Sequence, residues 1–303
     1  MAVNIDLFAQ LTISGVVLGS FYALLGVSFG LIYQTSKIFH LANAIPFAAA
    51  GYGAVWSAST LHFPLWASLV FGLAVALVFG LLILILGYFP LINRNATLLS
   101  LFLVSLGLTI AFPNLLQIVF GTQNLPLQTF GADGELGSAF DNKIFTLGFM
   151  TITLIDVLKV VVAWLVVLAV VLFVNRTRSG RSITALRTNP TMAAAVGINS
   201  RRVYILVFGI GSVIAGLGGL FVTAEFVASP SMALQWTLIG FIAVFFGGIG
   251  SLTGTALGGL ILGLLSQWSG LFLGVQFAPV VVFAALFIIL LVRPQGLFGK
   301  AAV

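Results

Sequence analysis

The sequence predicts an all-α polytopic membrane protein with about nine transmembrane helices, within a range of about eight to ten. Hydrophobic residues make up 61% of the 303 residues and charged residues only 6%, whereas soluble proteins carry roughly 25% charged residues. The mean hydropathy is +1.24. Apolar runs approach the ~20 residues that cross a bilayer, and polar residues collect in a few connections. We therefore expect a single transmembrane domain, 1–303, with no soluble catalytic domain.

The apolar runs follow one another along the whole chain. The predicted spans are residues 8–33, 38–59, 65–89, 97–120, 154–174, 203–228 and 234–246, an eighth after Gly254 and a ninth over 277–292. In the first run, Gly15, Gly19, Gly26 and Gly30 recur at spacings of four, seven and four. This spacing puts them on one helix face, where small residues allow close contact between membrane helices.

The second run contains three residues that are unusual in a membrane span, His40, Asn43 and Pro46. A proline inside a span removes a backbone donor and frees a carbonyl, so we expect a kinked or partly broken helix. Polar side chains in a span usually face the interior of the helix bundle. His40 and Asn43 are therefore candidates for the translocation path, and structural hydrogen bonding between helices is the alternative.

The longest cationic stretch covers residues 175–202 and contains six arginines and no acidic residue. Within it, Asn189 is a typical N-cap, Pro190 suits the first helical position, and Gly197 can end a helix. The sequence thus predicts a short helix over 190–196. The small surface that this helix is expected to expose is Ala193, Ala194 and Ala195. A structured loop is more than a connection requires, so we expect another protein to dock here.

A glycine-rich connection lies between the seventh and eighth runs. Its glycines, continuing into the eighth run, are Gly247, Gly248, Gly250, Gly254 and Gly258. A phosphate-binding loop would follow a strand and lead into a lysine, and neither condition holds here. The four-residue spacing from Gly250 to Gly258 instead predicts close helix packing.

Charge is distributed unevenly between alternate connections. With nine spans, ten of the twelve basic residues and no acid fall on one side of the membrane. Because basic loops stay in the cytoplasm, we predict that the loop 175–202 and the C-terminus are cytoplasmic and that the N-terminus is outside. The loop 121–146 is then external, and its acidic residues are Asp133, Glu135 and Asp141.

Composition and spacing disfavour several function classes. The net charge of +6 reflects basic residues at span ends, where they orient the protein, and not a nucleic-acid surface. The sequence has no cysteine, which excludes disulfides and thiolate metal sites. His40 and His62 lie at opposite ends of one run. They therefore provide neither the histidine base beside a serine nor the paired metal ligands that an intramembrane protease needs. We expect Asp156 to pair with Lys159 and Glu225 to lie near an outer end, which weakens the alternative of an ion-driven secondary transporter or channel subunit.

Several motifs together resemble a known permease family. In the cationic loop they are Arg178-x-x-Arg181, Ala185-x-Arg187-x-Asn189 and Ala194-x-x-Gly197-Ile198-Asn199. Further on they are Ser229-Pro230, Gly247 to Gly254, Gly258-Gly259 and Arg293-Pro294-Gln295-Gly296-Leu297. In this combination the chain resembles the membrane subunit of bacterial ABC importers for branched-chain amino acids, and the likeness extends over nearly the whole chain.

The resemblance implies transport driven by ATP. It implies a permease subunit in the bacterial inner (plasma) membrane, paired with a related second chain or a second copy. Two cytoplasmic ATP-binding subunits and a periplasmic or extracellular substrate-binding protein would complete the importer. This chain would bind no cofactor, because the partner subunits use the ATP. The helix over 190–196 would be the cytoplasmic coupling helix. The residues implied in ATPase docking are Arg187, Asn189, Pro190, Ala193, Ala194, Gly197 and Ile198.

One segment departs from the family pattern. Where the family often has Asn-Phe-Ala-His-Gly, this chain has His40-Leu41-Ala42-Asn43-Ala44, with histidine and asparagine exchanged. The resemblance implies a branched-chain or related amino acid as the substrate. If this segment lines the route, the departure points away from leucine, isoleucine and valine, and the alternatives are other amino acids, amides, urea and aromatic acids.

Overall fold

Helices form most of the protein, for which a computed structural model describes residues 5–130, 136–138, 144–147 and 150–299. The helices are α1 Ile5–Ser36, α2 Ala44–Thr60, α3 Leu65–Leu82, α4 Phe89–Asn93, α5 Leu98–Phe120, α6 Leu154–Arg176, α7 Arg178–Thr188, α8 Pro190–Ala195, α9 Ser200–Glu225, α10 Met232–Gly247, α11 Leu252–Phe272 and α12 Ala278–Val292. A π-helical segment, Ile83–Tyr88, joins α3 to α4.

Two short antiparallel hairpins, which the sequence did not predict, lie between α5 and α6. They are β1 Gln128–Phe130 with β2 Leu136–Ser138, and β3 Ile144–Leu147 with β4 Met150–Thr153. The acidic residues predicted for this connection, Asp133, Glu135 and Asp141, lie outside the described residues.

Seven helical segments of the described residues are long and apolar enough to cross a membrane. They are Asp6–Ser36, Leu65–Asn93, Leu98–Phe120, Leu154–Arg176, Ser200–Glu225, Leu252–Phe272 and Val275–Val292. Two shorter helices, α2 with 17 residues and α10 with 16, accompany them. The all-α polytopic fold is thereby confirmed, and these segments of the described residues do not contradict the predicted count of nine spans.

The expected break in the second run is present, but it precedes Pro46. After α1 ends, Lys37 adopts a positive φ of 57°, and Leu41–Asn43 form a 3-10 turn. The helix α2 begins only at Ala44, so Pro46 is its third residue. In the first turn a backbone N–H has no helical partner to lose, so the proline starts the helix and does not kink it.

The fold divides into two compact units. One consists of Met1–Gly30, Asn142–Leu172 and Ile239–Val303, and the other of Leu31–Asp141 and Phe173–Leu238. We refer to them as the first and second unit. The second unit contains both the cationic loop and the break between α1 and α2.

In the second unit, α2 is buried along most of its length against α3 and α9. Small residues make this possible. A Cβ on Gly72 of α3 would stand 2.5 Å from the carbonyl oxygen of Ala50, and a Cβ on Gly216 of α9 would stand 2.7 Å from Cβ of Ala76. Membrane helices approach closely where such residues line the contact.

In the first unit, the predicted glycine face of α1 contacts α11. Gly15 and Gly19 lie against Leu264 and Leu260 of α11, and a Cβ on Gly19 would stand 2.6 Å from the carbonyl oxygen of Leu260. Gly26 also faces α11, so this prediction is confirmed for the glycines that have a described contact.

The expected ion pair of α6 also lies in the first unit. Lys159 Nζ and Asp156 Oδ1 are 3.9 Å apart, and Asp156 accepts hydrogen bonds from the backbone and the hydroxyl of Thr153. The carboxylate therefore caps the start of α6 and also neutralises a lysine on the next turn.

Candidate docking loop and translocation site

The cationic loop of the second unit folds into two consecutive helices, α7 and α8. Thr177 caps α7, because its hydroxyl accepts a hydrogen bond of 2.9 Å from the backbone N–H of Gly180. Asn189 caps α8 in the same way, with Oδ1 accepting from the N–H of Met192 at 3.0 Å. Side-chain caps satisfy donors at the start of a helix that would otherwise have no partner. The predicted start of the short helix is thus confirmed.

The end of α8 is a Schellman motif around Gly197. Gly197 has a φ of +84°. Its N–H donates to the carbonyl of Ala194, and the N–H of Ile198 donates to the carbonyl of Ala193, both at 3.0 Å. These two bonds define the motif. Both ends of α8 are therefore closed by local hydrogen bonds.

The eleven-residue helix α7 was not predicted from the sequence. Its buried residues are Gly180, Ile183 and Leu186, which recur at every third position and form one apolar stripe. That spacing is a helical signal, but the three arginines among its eleven positions hid it. The cationic loop is consequently a two-helix structure with its own buried face.

A groove of about 640 Å³ runs between α7 and α8. Its walls include Arg181, Thr184 and Ala185 on one side and Met192 and Val196 on the other. The side chains of Met192 in α8 and of Val196, which directly follows α8, are 65% and 76% exposed. Two exposed apolar side chains and the Arg181 guanidinium thus border the same groove.

One part of the predicted small surface of α8 is wrong. Ala194 and Ala195 are exposed, but Ala193 is buried, with 3% of its surface accessible. Ala193 lines the inner wall of the groove together with Ala185 of α7. Because α7 was not predicted from the sequence, the burial of Ala193 beside it could not be predicted either.

Five of the six loop arginines are exposed, and Arg187 is the exception. Its Nη1 donates a hydrogen bond of 3.0 Å to Oε1 of Gln34, near the end of α1. Burial lowers the pKa of the Arg187 guanidinium. Burial, and secondly repulsion from Arg187, lowers the pKa of the Lys37 amine. Arg187 therefore anchors the loop inside this chain.

His40 and Asn43, the predicted path residues, are both buried, with 1% and 4% of their surface accessible. His40 Nδ1 lies 2.7 Å from the hydroxyl of Tyr88, and its ring is 5.0 Å from that of Phe208. Its Nε2 has no hydrogen-bond partner among the described residues. The interior position of both His40 and Asn43 is as expected. The contact of His40 fits the structural alternative, and whether either residue lines a transport path stays a prediction.

Tyr88 and Ser105 are further buried polar residues at the break that the sequence analysis missed. The hydroxyl of Ser105 accepts a hydrogen bond of 2.8 Å from the backbone N–H of Ala42. Tyr88 ends the π-helical segment, and the next residue, Phe89, lies under the guanidinium of Arg201 at 4.8 Å. Single π-turns occur frequently at functional sites. Gly87 and Pro90, on either side of this pair, are the signal that could have indicated irregular backbone.

The glycine-rich connection in the first unit closes against the end of the chain. Gly248 and Gly250 have φ values of +125° and +102°, and a Cβ on Gly258 would stand 2.5 Å from the Cα of Gly247. The N–H of Leu297 donates to the carbonyl of Phe246, and that of Phe298 to Gly247, both at 2.9 Å. A Cβ on Gly254, another glycine of this predicted set, would stand 2.8 Å from Cβ of Phe298. Two motifs far apart in the sequence thus form one packed corner.

Comparisons with known proteins give matches over nearly the whole chain. The sequence model of the family described as "Branched-chain amino acid transport system / permease component" matches residues 11–291. The high-affinity branched-chain amino acid transport system permease protein LivH of Salmonella typhimurium and that of Escherichia coli K12 are each 28% identical to this chain. The corresponding protein BraD of Pseudomonas aeruginosa is 26% identical. Each match covers 98% of this chain and 97% of the relative. No solved structure gives a significant match.

Proposed function

This chain belongs to the family of branched-chain amino acid transport system permease components, and we propose that it forms the membrane pathway of an ATP-driven importer for a branched-chain amino acid. The observation that carries the coupling role is the α7–α8 loop, which is capped, cationic and exposed. A loop whose only task was to connect two spans would need neither helix.

The substrate class in this proposal comes from the relatives. LivH and BraD are named as high-affinity branched-chain amino acid permeases and align with nearly the whole chain. At 26–28% identity the transported molecule can differ within the family. We keep leucine, isoleucine and valine as the first candidates and other amino acids, amides, urea and aromatic acids as the range to be tested.

The proposed importer contains three kinds of component: permeases, ATP-binding subunits and a substrate-binding protein. This permease pairs with a related chain or a second copy, two ATP-binding subunits lie on the cytoplasmic side, and a substrate-binding protein delivers the amino acid from outside. The chain lies in the inner membrane with its N-terminus outside and its C-terminus in the cytoplasm, as the basic loops require. ATP is bound and hydrolysed by the partner subunits.

The chemistry of the docking surface defines what the ATPase must present. Met192 and Val196, one helical turn apart, are exposed apolar side chains on the groove, and Arg181 lies across from them. A partner surface with an apolar pocket beside a carboxylate satisfies both features, because arginine binds carboxylates through paired charge-assisted hydrogen bonds.

The proposed coupling begins when ATP binding closes the two ATP-binding subunits. The shift of α8 reaches α9 through the short connection that contains Asn199, whose side chain caps α9 by accepting from the N–H of Arg202 at 3.2 Å. Arg201 lies over Phe89 at 4.8 Å, next to Tyr88, which contacts His40. Motion of the loop can thereby change the populations of outward-open and inward-open states.

The test is a tryptophan substitution on the exposed face of α8. Ala194→Trp should abolish both co-purification of the ATP-binding subunit in mild detergent and substrate-stimulated ATP hydrolysis, because a large ring blocks close approach of a partner. Ser179→Trp is the matched control, since Ser179 is also exposed but lies on α7 and not on α8. Wild-type ATPase recovery and transport with Ala194→Trp would refute docking at α8.

A further inference from the structure

A cavity of about 150 Å³ in the second unit lies where α2 and α10 begin. Its wall includes Ala48 of α2, Ile110 and Pro113 of α5 and Ala233 of α10. The side chains of Ile110 and Leu234, 61% and 45% exposed, border its open side. No residue of the cationic loop lines this cavity, so it is distinct from the docking surface.

The cavity lies near the middle of the bilayer. Thr109, which lines it, is the central residue of α5, whose bounds are Leu98–Phe120. At 1.5 Å per residue, Thr109 is roughly 16 Å from either end of the helix, which is about half of a hydrocarbon core of about 30 Å. The helices α2 and α10, too short for a full perpendicular crossing, both start at this depth. In many secondary transporters the substrate binds at the midplane beside discontinuous helices, and α2 likewise starts here after a non-helical break.

The cavity is chemically apolar. Among its lining residues, Thr109 and Ser231 carry hydroxyls, and the others are apolar. The Thr109 hydroxyl already donates to the carbonyl of Ser105 at 2.8 Å. A bound water needs about two to four polar partners, whereas apolar cavities of about 150 Å³ bind hydrocarbons as large as benzene. A branched aliphatic side chain has fewer carbons than benzene, so it fits this volume and this lining.

We propose that this cavity is a transient subsite for the branched aliphatic side chain of the transported amino acid, and that Ala48, Ile110 and Ala233 set the size that it accepts. The proposal rests on the function proposed above. Asn43 directly precedes Ala44, which belongs to the cavity wall. The subsite therefore adjoins one of the residues that the sequence placed on the translocation path.

The test compares uptake of leucine and valine, which differ by one methylene, into proteoliposomes that hold the complete importer and one binding protein. Ala48→Val and Ala233→Val narrow the cavity from two different helices. Each should lower the leucine-to-valine uptake ratio by about tenfold, the smallest discrimination that one methylene usually gives in an apolar pocket. The binding protein is the same in every preparation, so its own preference cancels between variants.

Two further variants separate cavity size from general damage. Ala111→Val is the matched control, because Ala111 is exposed on α5 beside Ile110 and does not line the cavity, and its ratio should equal that of the wild type. Ile110→Ala widens the open side and should raise the leucine-to-valine ratio severalfold, a direction that misfolding does not produce. Unchanged ratios in Ala48→Val, Ala233→Val and Ile110→Ala would overturn the subsite while the wild type still imports leucine. A wild-type importer that takes up no aliphatic amino acid would overturn the proposed function and the subsite together.

Discussion

At the scale of single residues, Tyr88 stabilises the buried break between α1 and α2. Its hydroxyl is 2.7 Å from His40 Nδ1, and its ring packs at 5.6 Å from Phe208. The other ring nitrogen of His40 has no hydrogen-bond partner among the described residues. A buried histidine therefore depends on this tyrosine, because an unsatisfied buried polar group costs about 1–3 kcal/mol.

We expect Tyr88→Phe to lower the free energy of unfolding by about 1–3 kcal/mol, because it leaves Nδ1 of His40 without a partner as well. The measurement is thermal unfolding in detergent. Tyr52→Phe is the matched control, since the Tyr52 hydroxyl is buried without a hydrogen-bond partner among the described residues, and its removal should be neutral or stabilising. Equal losses for the two variants would show that the His40 contact contributes nothing.

The burial of His40 could be predicted from the sequence, but its partner could not. A polar side chain within an apolar run points inward because the hydrocarbon offers no hydrogen bonds. Tyr88 lies 48 positions away in the chain. The direction of the Tyr88 side chain also depends on the π-helical segment Ile83–Tyr88. One extra residue per turn in this segment rotates the side chains that follow it around the helix axis. Apolar composition alone carries no sign of that rotation.

At the scale of elements, α8 was predictable because its signals are local. Asn189, Pro190 and Gly197 act within one or two turns of their own positions. The burial of Ala193 was not predictable, because it depends on α7 across the groove. The start of α2 was misjudged for a related reason. Pro46 is compatible with a kink or with a first turn, and the 3-10 turn before it decides between the two.

The conformation of Gly197 gives a prediction for α8 as an element. Gly197→Val should abolish substrate-stimulated ATP hydrolysis, because the left-handed conformation at φ +84° costs L-residues roughly 1–2 kcal/mol and β-branched residues avoid it most strongly. Beyond the two neighbouring residues in the chain, no described atom lies within 4 Å of a Cβ added at this position, so the expected loss is conformational and not steric.

The matched control for Gly197→Val is Gly197→Asn. Asparagine tolerates the left-handed region and can follow the end of a helix, so this variant should keep both ATP hydrolysis and co-purification of the ATPase. Similar loss in the two variants would mean that the position requires glycine for a reason other than its φ. Full activity of the valine variant would mean that the orientation of α8 does not matter for coupling.

At the scale of the whole molecule, charge distribution and not packing sets the predicted orientation. The fold class could be read from composition, because 61% hydrophobic residues leave little besides membrane helices. The lengths of the helices were harder to predict from the sequence. The helices α2 and α10 have only 17 and 16 residues, and the apolar run around α2 includes the non-helical break before Ala44. Hydropathy records how apolar a segment is, but not where its backbone turns.

The orientation itself can be tested with single cysteines, because the natural chain has none. Gln123→Cys and Ser179→Cys place a thiol on the predicted external and cytoplasmic sides, and both positions are exposed. In intact cells a membrane-impermeant maleimide should label the first and not the second, since basic loops remain in the cytoplasm. Permeabilised cells supply the control, in which both thiols should react and so prove accessible. Labelling of Ser179→Cys in intact cells, with Gln123→Cys protected until permeabilisation, would invert the topology and move α7 and α8 out of reach of any cytoplasmic ATPase.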